Sequence, residues 1–126
     1  MAGDRPVHLN LVVFRWPLAA AASIAHRITG VIAFVGIGFM LYALEGALSS
    51  PAGFAETVEL MRSPLARFIA FGLLSVVGYH FVAGIKHLLL DMHVGDSLEG
   101  GQFAAKVTLV LGLVVVILAG VWAYGY

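Results

Sequence analysis

The chain has 126 residues, enough for one compact domain. It is 61% apolar and 11% charged, with a mean hydropathy of +1.00, which argues against an ordinary soluble protein and points to lipid as the solvent. Seven basic side chains cancel seven acidic ones, leaving no bulk field to draw nucleic acid, and the absence of cysteine excludes disulfides, iron–sulfur ligation and a cysteine nucleophile.

The N-terminal stretch does not read as a signal peptide, because Asp4, Arg5 and Arg15 interrupt the place where its apolar core would lie, and no cleavage is expected. Residues 8–16 are apolar but too short to span a bilayer. They are expected to lie in the interface, within a cytoplasmic or interfacial segment over about 1–20. Trp16 would anchor at headgroup level and Pro17 would turn the chain into the first helix.

Three segments then run free of formal charge over nearly membrane-spanning length: 28–44, 68–85 and 107–126. A span needs roughly 20 apolar residues, which weakly polar flanks supply. The expected fold is an all-α membrane protein, a single transmembrane domain with three helices in an up-down-up bundle. Helix I covers about 21–48, helix II about 64–91 and helix III about 103–124.

Helix I opens with Ser23, His26, Arg27 and Thr29, followed by Gly30. Ser23 lies three residues from His26 and four from Arg27, so the three share a helix face. One reading is ordinary, with Arg27 snorkelling to lipid phosphate and Ser23 capping the helix. The other is a polar mouth that binds a quinone carbonyl or haem carboxylates, for which arginine offers a rigid fork of donors. The run Ser49-Ser50-Pro51-Ala52-Gly53 closes the helix, and Glu45, Glu56 and Glu59 read as solvated loop acids.

Ser63-Pro64 reads as the cap and first position of helix II. His80 lies near its middle, among Val76, Val77, Phe81 and Val82, eleven residues or roughly 16 Å before Asp91. At about 100° per residue, Gly84, His87 and Asp91 fall within about 40° of His80, making one polar stripe. An ionisable group at that depth is costly and faces protein or a cavity. His80 is then either hydrogen-bonded to a neighbouring helix or an axial ligand of a b-type haem, with Gly84 clearing space for the macrocycle. Small residues at 72, 75, 78 and 84 are equally suited to close helix packing. His87 cannot ligate the same iron as His80, being roughly 10.5 Å further along the axis. Neither other helix has a histidine at matching depth, so the site is half-built.

The connection from Asp91 to Gly101, rich in breakers and acids, is expected to leave His93 exposed, as is His8 nearer the start. Helix III, with Gly112 and Gly120, reads as scaffold. With three spans, the N-terminal flank and the second connection share a side carrying Arg5, Arg15, Arg27, Lys86 and Lys106. The other side carries only Arg62 and Arg67. The excess of basic residues places the N-terminus in the cytoplasm and the C-terminus in the periplasm.

Two stretches together resemble the cytochrome b subunit, the large membrane anchor, of succinate dehydrogenase. One runs from Arg5-Pro6 through Arg15-Trp16-Pro17 into Ser23-Ile24-Ala25-His26-Arg27-Ile28-Thr29-Gly30. The other is His80-Phe81-Val82-Ala83-Gly84-Ile85-Lys86-His87 with Asp91. The resemblance implies a subunit of succinate:quinone oxidoreductase in the bacterial inner membrane that pairs with a second small anchor. Together the two anchors hold one haem b and dock the iron–sulfur and flavoprotein subunits on the cytoplasmic side. It implies that His80 is the axial haem ligand, that Ser23 and Arg27 meet ubiquinone, and that His26 and His87 lie near the haem propionates. The family commonly has arginine where this chain has Lys86, which keeps the charge but not the bidentate fork. The alternatives are the anchor of a quinol:fumarate reductase and a haem-free structural anchor. On any of these readings the chain cannot oxidise succinate alone.

Overall fold

The computed structural model describes residues 17–125, and every regular element among them is helical: α1 (Leu18–Ser49), α2 (Pro51–Arg62), α3 (Pro64–Asp91) and α4 (Leu98–Tyr124). The expected interfacial stretch 8–16, with Trp16 and His8, lies outside the described residues. Helices α1, α3 and α4 are each long and apolar enough to cross a membrane.

Serine sets three of the four helix starts. The Ser50 hydroxyl accepts from the Gly53 N–H at 2.9 Å, Ser63 from Ala66 at 3.2 Å, and Ser97 from Gly100 at 3.0 Å. Each bond satisfies one amide left over at a helix N-terminus. Pro51 and Pro64 occupy the first helical positions, where a missing N–H costs nothing. Between α3 and α4 the chain reverses through His93 (φ 60°) and Gly95 (φ 71°), and the His93 ring meets Asp96 at 2.9 Å.

Two expectations change. Residues 51–62, read as a loop, form α2, because Ser50-Pro51 starts a helix as effectively as it ends one. Glu56 and Glu59 are exposed on it, with Glu59 pairing Arg62 at 3.8 Å, while Glu45 remains on α1. At 12 residues α2 is too short to span. The second change is that α4 starts at Leu98 rather than about 103. The Ser97 cap draws Gly100 and Gly101, read as breakers, into its first turn.

The alternation of direction is visible in which residues meet. Along α1 and α3, Gly30 faces His80 and Gly36 faces Leu73; along α3 and α4, Tyr79 faces Gly112 and Phe71 faces Gly120. Rising numbers on one helix meet falling numbers on the next, so the three spans run up, down and up. Packing is through small residues: Ala22, Ala33, Ala83, Ala105, Ala119 and Ala123 are buried, whereas Phe34, Phe39 and Leu113 project outward. That inversion of the soluble pattern follows from lipid being as apolar as leucine, so that helix contact depends on close backbone approach. Gly112 is one such approach, since a Cβ there would stand 2.6 Å from the Tyr79 ring. Tyr79 in turn donates its hydroxyl proton to the Ala22 carbonyl at 3.0 Å, joining α3 to the start of α1.

Candidate functional site

The beginning of α1 and the second half of α3 meet at one end of the bundle, because the two helices are antiparallel. The contact gathers three histidines. The His26 and His80 rings stack with centroids 4.2 Å apart and planes 10° from parallel, and His87 tilts against His26 at 4.8 Å and 41°. The three imidazoles do not converge on a point: among the described residues no cluster of three His, Asp or Glu side chains could hold a metal ion.

One hydrogen bond settles which nitrogen of His80 carries the proton. Its Nδ1 lies 3.0 Å from the backbone carbonyl of His26. A carbonyl only accepts, so Nδ1–H donates, and in a neutral imidazole the lone pair is then on Nε2. A backbone carbonyl holding the remote nitrogen is the arrangement that orients a metal-binding histidine and strengthens it as a donor. The donor set and its tautomer therefore fit an axial position on haem iron.

The berth for this ring comes from α1. A Cβ on Gly30 would stand 2.9 Å from His80 Cε1, closer than side chains pack, so the ring occupies space that only glycine leaves. Gly84, expected to clear space for the macrocycle or to serve close packing, meets a different ring. The volume over Gly84 is taken by His26, whose Nε2 would lie 3.6 Å from a Cβ at 84, an ordinary contact. Gly30 is the glycine that shapes the histidine site. Thr29 was equally unassigned from sequence; its hydroxyl donates to the His26 carbonyl at 2.9 Å and lies 3.3 Å from His80 Nδ1. The signal was present in the run Thr29-Gly30 behind His26, but which helix faced it was not.

Ser23 is half-buried and Arg27 exposed at the same end of α1. No hydrogen bond or ion pair to another described side chain engages the Arg27 guanidinium, which lies within electrostatic range of His87, as do Lys86 and Asp91. Lys86 is 6% exposed, its stem packed inside the bundle and its charge within range of His26 and His87. The end of the molecule that holds the histidines thus gathers the donors of Arg27, Lys86 and the imidazoles beside Asp91, and those donors suit carboxylates or a polarised carbonyl. A separate cavity of about 230 Å³ lies at the opposite end, lined by Met61, Arg67, Ala70, Trp122 and Ala123.

Residues 1–119 match the family model described as the succinate dehydrogenase/fumarate reductase transmembrane subunit. The chain is 33% identical to a succinate dehydrogenase cytochrome b556 subunit of Coxiella burnetii (strain RSA 493 / Nine Mile phase I), over 98% of this chain and 100% of that protein. It is 37% identical to the cytochrome b556 subunit of Paracoccus denitrificans, over 90% and 86% of the two chains. It is also 33% identical to the mitochondrial cytochrome b560 subunit of Sus scrofa, over 88% of this chain and 67% of that one.

Proposed function

The chain belongs to the succinate dehydrogenase/fumarate reductase transmembrane subunit family, and from that premise we propose that it is the anchor of a succinate:quinone oxidoreductase that co-ligates haem b and forms part of the ubiquinone-reduction site. The observation that carries the haem reading is the bond from His80 Nδ1–H to the His26 carbonyl, which leaves Nε2 for iron. Relatives named as cytochrome b subunits support the same choice, and their naming as succinate dehydrogenases favours succinate oxidation over fumarate reduction.

In this reading His80 would be this chain's ligand to haem b, and a second small anchor subunit would supply the remaining one. His26, His87 and Arg27 would face the propionates. Haem b, when bound, would supply a one-electron redox centre. Ser23 and Arg27 bind one quinone carbonyl oxygen: the hydroxyl donates, and the guanidinium balances negative charge as electrons arrive. Electrons come from the iron–sulfur subunit, itself served by the flavoprotein, both docked on the cytoplasmic side. This chain holds the substrate where lipid and protein meet and fixes the ring that holds the haem.

The decisive experiment is an optical spectrum of the dithionite-reduced complex, with this chain purified alone as the control. The complex gives a low-spin b-type absorption and the isolated chain does not. A complex with no visible absorption would leave only a structural anchor.

Orientation is part of the proposal: bacterial inner membrane, with the N-terminus and the connection after α3 cytoplasmic and the end of α4 periplasmic, from the excess of Lys and Arg on the first side. A periplasm-active reporter fused after Tyr126 is expected to be active, and one placed at Ser97 silent. The reverse pattern overturns the topology.

A further inference from the structure

We propose that Thr29 is a positioning residue for His80, its hydroxyl oxygen serving as a second acceptor for the Nδ1 proton and thereby tuning the iron-binding strength of the ring; this rests on the reading of His80 as an axial ligand. The argument starts at the His26 carbonyl. It accepts from the Thr29 hydroxyl at 2.9 Å and from His80 Nδ1 at 3.0 Å. Helix geometry directs the Gly30 N–H at the same oxygen.

Among the described residues the Nδ1 proton has one other acceptor within reach, Thr29 Oγ1 at 3.3 Å. The Thr29 proton is committed to the carbonyl, so its oxygen presents lone pairs, and donating in one direction makes it a better acceptor in the other. A threonine bonded to the carbonyl three residues back is held in that rotamer. Thr29 and Gly30 together make a socket: one side chain grips the Nδ1 edge of the ring, and the missing one clears the Cε1 edge, where a Cβ would stand at 2.9 Å. Every part of this socket is on the present chain.

A hydrogen bond at the remote nitrogen raises the basicity of a ligating imidazole. A more basic imidazole favours ferric over ferrous iron, so the Thr29 hydroxyl lowers the haem midpoint potential. The test is Thr29→Val, which keeps the branched shape and removes the oxygen, with Thr29→Ser to restore a hydroxyl. Each is assembled in the full complex and measured by potentiometric titration of the haem absorption and by the low-spin g values of the ferric haem. Thr29→Val is expected to retain haem, with a raised midpoint and shifted g values; Thr29→Ser returns both toward the parent. If Thr29→Val fails to assemble, Thr29→Ala is expected to show the same rise. A midpoint unchanged or lowered in the assembled variant overturns the proposal, as does Thr29→Ser behaving like Thr29→Val. Loss of haem from the valine, alanine and serine variants alike also overturns it, since packing would then be the role. A parent complex without haem would instead sink the ligand assignment on which the proposal stands.

Discussion

Replacing His80 with leucine in the assembled complex is expected to abolish or grossly alter the low-spin b-type absorption of the reduced enzyme. Leucine fills the space under Gly30 but offers no lone pair, and no second imidazole can take the place of the first. His87 lies roughly 10.5 Å further along α3. His26 is nearer, but its ring lies flat against His80 rather than end-on to the same point. A companion substitution reaches the same site from the other helix. Gly30→Ala sets a Cβ 2.9 Å from Cε1, against a ring already held at Nδ1 by the His26 carbonyl, so the ring must turn or α1 must move away. Haem content or spectrum is expected to change with Gly30→Ala, while Gly84→Ala, which meets only an ordinary contact, stays close to the parent. An unchanged low-spin spectrum in His80→Leu refutes the ligand assignment. Equal effects of Gly30→Ala and Gly84→Ala refute the berth.

Succinate–quinone turnover is expected to fall tenfold to a hundredfold or more in Ser23→Ala or Arg27→Leu, with succinate oxidation by an artificial dye nearly intact. The two side chains share the beginning of α1, the end that the proposed orientation turns toward the cytoplasm and the soluble subunits. Arg27 is exposed there and so can reach a ligand entering from the bilayer. Losing one charge-assisted hydrogen bond costs about 1.5–3 kcal/mol, which sets that range of rates. Haem content should fall little in Ser23→Ala, because the hydroxyl is not among the groups touching His80. The informative quantity is the ratio of quinone-linked to dye-linked activity in intact complex. If both activities drop together, the residues act through assembly. If neither drops, Arg27 is a lipid contact and Ser23 a helix-end hydroxyl.

The three spans, their order and the polar stripe on α3 could be read from residues alone, and the reason is local. Lipid demands about 20 uncharged apolar residues per crossing, serine before proline marks a helix start, and a 3.6-residue period puts His80, Gly84, His87 and Asp91 on one side whatever surrounds them. The same local logic misjudged 51–62 and 98–101, where a serine cap outweighed glycine, proline and charge and produced helix. The family, too, was legible in the sequence, since the two motifs that carry it are contiguous strings.

What tertiary structure alone decided is which surfaces of two helices meet. His26 and His80 are 54 residues apart, and nothing in their spacing says that the carbonyl of one holds the ring of the other. That Gly30 faces the His80 ring was hidden for the same reason. Sequence periodicity gives the face of a helix but not the neighbour against it, and a ring's berth belongs to the neighbour. Tautomer, stacking and the Thr29 contact all follow from that one antiparallel crossing, in which close approach at Gly30 leaves room for the His80 ring and determines which backbone oxygen its proton meets.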